Sequence, residues 1–236
     1  MVTKESDFNT NMDSLFKSNP LFAGISDQNL ALLESQKKCS TFTKGSFLFK
    51  IGTQPSGLFY ILSGKIKIYA IGSDGKQQII QLAKKGQNLG FRTMLSGEKF
   101  RVSAEVLEDA QICFIPKIHF LAAMNQIPKL NQNVLKKLSG EINEMAKNLT
   151  QLAQKPVKER LAATLIILED FFKEEDEDET ISINLTREDL ANFIGTATET
   201  VIRLLITLKK EGYIAIEGRI ITIISKKELQ ILAKTY

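Results

Sequence analysis

The side chains best suited to reading a polar surface are concentrated in Leu185–Gly212, LTREDLANFIGTATETVIRLLITLKKEG. Arg203 carries a planar fork able to donate twice to guanine O6 and N7. Glu199 can accept from cytosine N4, and Ile202 can lie against a thymine methyl. Thr198 can reach a phosphate or a base edge. On a helical wheel Val201, Leu204, Leu205 and Leu208 share one face, and Glu199, Ile202, Arg203 and Ile206 share the opposite one. An outward face with two isoleucines is odd for a solvated helix but reasonable for one lying in a major groove. Plainer roles compete: Glu199 as the N3 member of a capping box, or Glu199 and Arg203 as a surface pair one turn apart. The two-helix spacing around them favours DNA reading.

That spacing comes from two consecutive helix starts. In the first, Thr186 can cap with Asp189 at N3, Leu185 and Leu190 have the spacing of a hydrophobic staple, and Gly195 is a suitable stop. In the second, Thr196 caps with Glu199 at N3, and the helix, about 197–211, ends before Gly212. Two helices joined by a tight glycine-containing turn make a helix-turn-helix unit. Tyr213–Ile224 then reads as two short strands around Glu217-Gly218, a wing, with Lys209, Lys210 and Arg219 supplying charge for phosphates. Upstream, Lys155-Pro156 breaks one helix, and a new amphipathic helix runs from about Val157 to Phe172. The six-residue acidic run Glu174–Glu179 reads as a solvated loop that points away from DNA.

Before that break, Val134, Leu138, Ile142, Met145, Leu149 and Leu152 recur every three or four residues. This coiled-coil-like seam on one long helix favours pairing with a second copy, with packing against its own domain as the alternative. Between about Ser40 and Ile115 the pattern changes to short strands punctuated by glycine: Ser46–Ile51, Leu58–Leu62, Lys65–Ile71, Gln77–Leu82 and Ala110–Ile115, with a hairpin turn at Gly72–Lys76. That implies an antiparallel sandwich or barrel. The N-terminal stretch has helical patterning through Leu15, Phe16, Leu21 and Phe22. Ser26 then caps a short helix holding Leu30, Leu32 and Leu33.

Composition excludes several classes. The chain has 236 residues, 43% hydrophobic and 25% charged, an ordinary globular balance with a net charge of only +4. Any basic surface must therefore be local. Two isolated cysteines, Cys39 and Cys113, imply no disulfide framework and a reducing, cytosolic compartment. Both lie in strand-like surroundings as buried small apolar residues, and either can be considered as a redox sensor. The N-terminus has no apolar signal segment, and Leu161–Leu168 is far short of a membrane span. No Walker motif, metal-ligand spacing or nucleophile–histidine pairing is present, and His119 is the one histidine, so the chain does not read as an enzyme.

Together these residues resemble the CRP/FNR superfamily of transcription regulators over nearly the whole chain. Lys155–Ala162 (KPVKERLA) and Gly195–Ile214 resemble its DNA-binding domain. Leu58–Tyr69 (LFYILSGKIKIY) and Gly86–Gly90 (GQNLG) resemble its cyclic-nucleotide-binding-type β-roll, and Val134–Leu152 resembles its dimerisation helix. The resemblance implies an α+β chain in three parts. These are an antiparallel β-roll sensor with N-terminal helices (1–128), a dimerisation helix (129–154) and a winged helix-turn-helix (155–236). It implies double-stranded DNA, a second copy of the chain and RNA polymerase as partners, with no membrane. The family reads DNA through the positions of Glu199 and Arg203, in an inverted repeat with a TGA-like core. Thr198 stands where the catabolite-activator branch has arginine, and Ile202 where the FNR branch has serine.

The sensor departs further from the family pattern. Phe91, not glutamate, follows Gly90, and the arginine-serine pair that holds a cyclic phosphate would fall near Phe100 and Arg101. Arg101 and Ser103 are present but out of register, which argues against cyclic AMP and leaves another anion near Arg92 or Arg101 open. The candidate effector residues are thus Gly90, Phe91, Arg92, Arg101 and Ser103. The first 38 residues hold no cysteine, which argues against an iron–sulfur cluster. Haem stays open, with His119 as its one histidine. A ligand or redox change would act by population shift, re-aiming two recognition helices about 34 Å apart. The competing reading is a small-molecule or redox module whose DNA domain is vestigial, against which the retained Glu199 and Arg203 argue.

Overall fold

The computed structural model describes residue 16 and residues 19–173 and 181–234. Leu15 and the acidic run Glu174–Glu179 lie outside the described residues. The chain divides into two units, Met1–Ile71 with Ile80–Glu144, and Gly72–Ile79 with Met145–Tyr236.

The N-terminal part opens with a 3-10 turn, Pro20–Phe22, and α1 (Asp27–Ser35), whose cap is Ser26, its hydroxyl accepting from Asn29 N–H. An antiparallel sheet follows: β1 (Lys38–Phe42), β2 (Phe47–Phe49), β3 (Gly57–Ile71), β4 (Gln77–Lys84), β5 (Asn88–Leu89) and β6 (Ser103–Pro116). Its order is β1-β6-β3-β4, with β2 also on β6 and β5 on β3. The helix α2 (Phe91–Ser96) follows β5, and α3 (Lys117–Gln126) follows β6. One core gathers Phe49, Phe59, Ile61, Ile66, Ile68, Phe100 and Ile112. A second packs Phe22, Leu30 and Leu33 with Phe91, Phe120 and Val134.

Two readings of this region need correction. The two strands expected at Leu58–Leu62 and Lys65–Ile71 are one strand, β3, whose register against β6 shifts around Ser63 and Lys65. Gly64 makes that irregularity possible: its φ is +87°, and a Cβ there would lie 2.5 Å from the Asp109 carbonyl. The expectation of no disulfide also fails. β1 and β6 place Cys39 opposite Cys113, and the two form a disulfide across 74 residues of chain. Facing positions in an antiparallel pair bring Cβ atoms within bridging reach, a proximity that sequence distance conceals.

The helix α4 (Pro128–Gln154) carries the expected seam, but its start shifts by one residue. Val134 is 1% exposed and Leu138 is partly buried, both against the N-terminal core. Leu135, in contrast, is 64% exposed, as are Ile142 and Leu149 at 63% and 69%. Leu135, Ile142 and Leu149 are seven apart, as are Leu138, Met145 and Leu152. The outward stripe is therefore an a/d heptad beginning at Leu135, and Val134 belongs to the protomer's own core.

In the second unit, α5 (Val157–Phe172) buries Leu161, Leu165 and Leu168. Around it lie β7 (Ser182–Asn184), α6 (Arg187–Ile194), α7 (Thr198–Lys210), β8 (Ile214–Glu217), β9 (Ile220–Ile223) and α8 (Lys226–Ala233). The strands form a three-stranded antiparallel sheet in the order β7-β9-β8. β7 has no counterpart in the reading from sequence.

Candidate nucleic-acid interface

The first helix of the pair forms as its cap predicts. Thr186 Oγ1 accepts from Asp189 N–H at 2.9 Å and donates to the Asp189 carboxylate at 2.8 Å. Leu185 and Leu190 are both buried beside it. Gly195, with φ +75°, ends α6 and turns the chain. Arg160 holds this turn: its guanidinium donates to Gly195 O at 3.3 Å, and to Lys155 O at 2.9 Å and Leu152 O at 3.3 Å.

The second helix starts one residue later than expected. Its N-cap is Ala197, in extended backbone, and no side chain caps it. Thr196 stays in the turn, its N–H donating to Ala191 O. The capping box expected of Thr196 and Glu199 is therefore absent, because Gly195, Thr196 and Ala197 are all needed to reverse the chain. Glu199 sits in the first turn of α7 beside the helix dipole's positive end, and its carboxylate faces solvent.

The two faces of α7 divide as the wheel requires. Val201, Leu205 and Leu208 are buried, and Leu204 is half-buried. On the other side Glu199 and Arg203 are exposed, with Ile202 and Ile206 at 42% and 49% exposure. These four, with Thr207 and Lys210, line a shallow open recess. Thr198 is half-buried at the helix start. The wing turn between β8 and β9 exposes Gly218 and Arg219. The Lys209 ammonium donates to Ile216 O at 3.3 Å, so it also braces the wing.

Comparison with known proteins finds a helix-turn-helix domain over this part of the chain. Residues 39–127 match the cyclic nucleotide-binding domain, and residues 159–232 match the Crp-like helix-turn-helix domain. The fumarate and nitrate reduction regulatory protein of Vibrio cholerae is 32% identical over 208 residues, 88% of this chain and 82% of that one. The chain belongs to the CRP/FNR family of transcription regulators. Electron transport regulator A of Shewanella oneidensis is 32% identical over 191 residues, 80% of this chain and 76% of that one. The structure of a putative transcriptional regulator of the same family from Eubacterium rectale superposes with a TM-score of 0.76 at 18% identity, covering 92% of this chain and 98% of that one. This CRP/FNR protein is a DNA-binding transcription regulator.

Its cyclic-nucleotide-binding-like domain separates the candidate effector residues. Gly90, Phe91 and Arg92 line a cavity of about 30 Å³, together with Gln81, Asn88, Phe100 and Glu141. A space of that size holds a water or two, far below the several hundred Å³ of a small-molecule site. Phe91 is buried in its wall, and Phe49 and Phe100, which also line it, stack 3.9 Å apart. Arg92, a candidate anion donor, pairs with Glu141 on α4 at 3.2 Å, and Lys137 joins the same carboxylate at 3.4 Å. Arg101 and Ser103 do not belong to this site. The Arg101 side chain is 85% exposed and pairs with Glu98, while the Ser103 hydroxyl accepts from Ile51 N–H. Phe100 and Val102, on either side of Arg101, both line the cavity, while the Arg101 side chain itself projects into solvent. A cyclic nucleotide does not fit these residues. An iron–sulfur cluster does not fit either: both cysteines are consumed by their mutual bond, leaving no thiolate ligand. His119 lies half-buried on α3.

Proposed function

We propose that this regulator binds, as a homodimer, an inverted repeat with a TGA-like core in each half-site, inserting α7 into the major groove. The observation that carries the reading is the composition of the outer face of α7. Glu199 and Arg203 stand exposed beside the exposed Ile202 and Ile206, on a helix whose inner face buries Val201, Leu205 and Leu208. Arg203 donates to guanine, Glu199 accepts from cytosine, and Ile202 covers a thymine methyl. Thr196, Thr198, Lys209 and Arg219 contact phosphates and set register. The heptad from Leu135 to Leu152 joins the two copies, spacing the recognition helices for successive grooves. In this assignment residues 1–128 are the sensor, 129–154 the dimerisation helix and 155–236 the DNA-binding domain. The protein works in the cytoplasm, by binding rather than catalysis, with RNA polymerase as its macromolecular counterpart.

Fluorescence anisotropy tests this with the purified protein and a duplex carrying a TTGA/TCAA inverted repeat, at two salt concentrations. The expected result is selective binding over a scrambled duplex, with an affinity that falls as salt rises. Equal binding to both duplexes would overturn the assignment.

A further inference from the structure

Arg187 is the first residue of α6, and nothing in that helix explains it. A cation at a helix N-terminus opposes the helix dipole, and the next two residues, Glu188 and Asp189, are the acidic pair the dipole favours. The guanidinium instead leaves its own helix. One terminal nitrogen donates to Arg219 O at 3.1 Å and the other to Gly218 O at 3.0 Å. Both acceptors are carbonyls of the two-residue turn at the tip of the wing, where Glu217 and Ile220 pair across the hairpin. Carbonyls of an exposed hairpin turn are ordinarily left to water. Here a planar fork of fixed geometry takes both at once, which a lysine's single ammonium does not reproduce. Arg187 is half-buried in doing so, and that burial pulls its pKa below the ordinary arginine value.

We propose that Arg187 is a positioning residue for DNA binding: it latches the wing turn to the first helix of the helix-turn-helix, so that Arg219 is held where it meets a phosphate. A free two-residue turn on a short hairpin would have to be ordered on binding. The latch makes that ordering part of the folded protein. Three strands alone do not provide it, since the β7–β9 and β8–β9 pairings both end at Ile220, short of the turn. The proposal rests on the wing meeting phosphates, as assigned above.

Two measurements on the full-length protein test it. The first needs no DNA. Trypsin nicking of the Arg219–Ile220 bond should be several-fold faster in Arg187→Ala than in wild type, and intermediate in Arg187→Lys. The thermal midpoint serves as a control for global unfolding. Equal nicking rates would overturn the latch. The second is a double-mutant cycle on the inverted-repeat duplex. Arg187→Ala and Arg219→Ala should each weaken binding roughly tenfold and make the salt slope shallower by about 0.9. Neither should change the preference over a scrambled duplex, and the double variant should be no weaker than Arg219→Ala. Losses that multiply, with slopes that add, would show Arg187 acting independently of Arg219 and overturn the proposal. Wild-type binding by Arg219→Ala would remove the wing's phosphate contact, and the proposal with it. Base reading by α7 would be untouched by that result.

Discussion

Replacing Leu149 by alanine tests the heptad where the structure gives it most to bury. Leu149 is 69% exposed in the protomer, so pairing with a second copy removes most of that surface from water. Full burial of a leucine stabilises by about 1.5–3 kcal/mol, so the remaining share is about 1–2 kcal/mol per copy. Alanine forfeits roughly two-thirds of it, and the change occurs in both copies. The dimer should therefore lose about 2 kcal/mol, a rise of about 30-fold in its dissociation constant. Sedimentation equilibrium measures this directly. Because the side chain is exposed, the circular dichroism spectrum of the dilute monomer should not change. Lys147, two residues earlier and on the outermost heptad position, provides the control: Lys147→Ala should leave the constant unaltered. A Leu149→Ala dimer as tight as wild type would refute the seam, and so would a Lys147→Ala effect of equal size.

Two further outcomes follow from contacts away from the interface. Unfolded without reductant, the protein should show no thiol able to react with Ellman's reagent, and two after reduction. Reduction should lower stability to denaturant by up to about 4 kcal/mol, from a loop closed across 74 residues; two reactive thiols at the outset would contradict the Cys39–Cys113 bond. The Lys226 ammonium forms an ion pair with Glu169 at 2.6 Å and donates a hydrogen bond to Asp170 at 3.3 Å, and Glu169 chiefly raises its pKa above the ordinary lysine value of 10.5. A raised folded-state pKa stabilises fully below that ordinary value and fades as pH climbs through the folded one. Lys226→Met should therefore flatten the alkaline limb of the stability profile above about pH 10, and an unchanged limb would contradict the pairing.

The helices of the DNA-binding domain were the most legible part of the chain. Caps and staples are local, so Thr186, Leu185 and Leu190 announce α6, and Pro156 announces the start of α5. The packed and open faces of α7 followed from a period of 3.6 residues, which needs no knowledge of neighbours. Errors arose where a neighbour decides. Thr196 has the right spacing from Glu199 for a cap, but the turn out of Gly195 needs that residue. Val134 and Leu135 both suit a heptad start, and only the core against α4 shows which one it takes. Gly64 reads as a strand end in the sequence because its bulge depends on close approach to Asp109. Cys39 meets Cys113 through sheet register, and the Arg101 side chain faces away from the sensor cavity that its neighbours Phe100 and Val102 line. Arg187, whose partners are backbone carbonyls of the wing, carried no signal in its own residue type.

The most direct test of base reading by α7 pairs one protein change with one atom of DNA. Wild type and Arg203→Ala are titrated by anisotropy against the inverted-repeat duplex, with guanine or with 7-deazaguanine in each TGA core. If Arg203 donates to guanine N7 and O6, wild type should lose about 1–3 kcal/mol on the modified duplex. Arg203→Ala should bind both duplexes equally and with reduced selectivity over a scrambled sequence. Wild-type indifference to the missing N7, or an Arg203→Ala variant as tight and selective as wild type, would contradict the account.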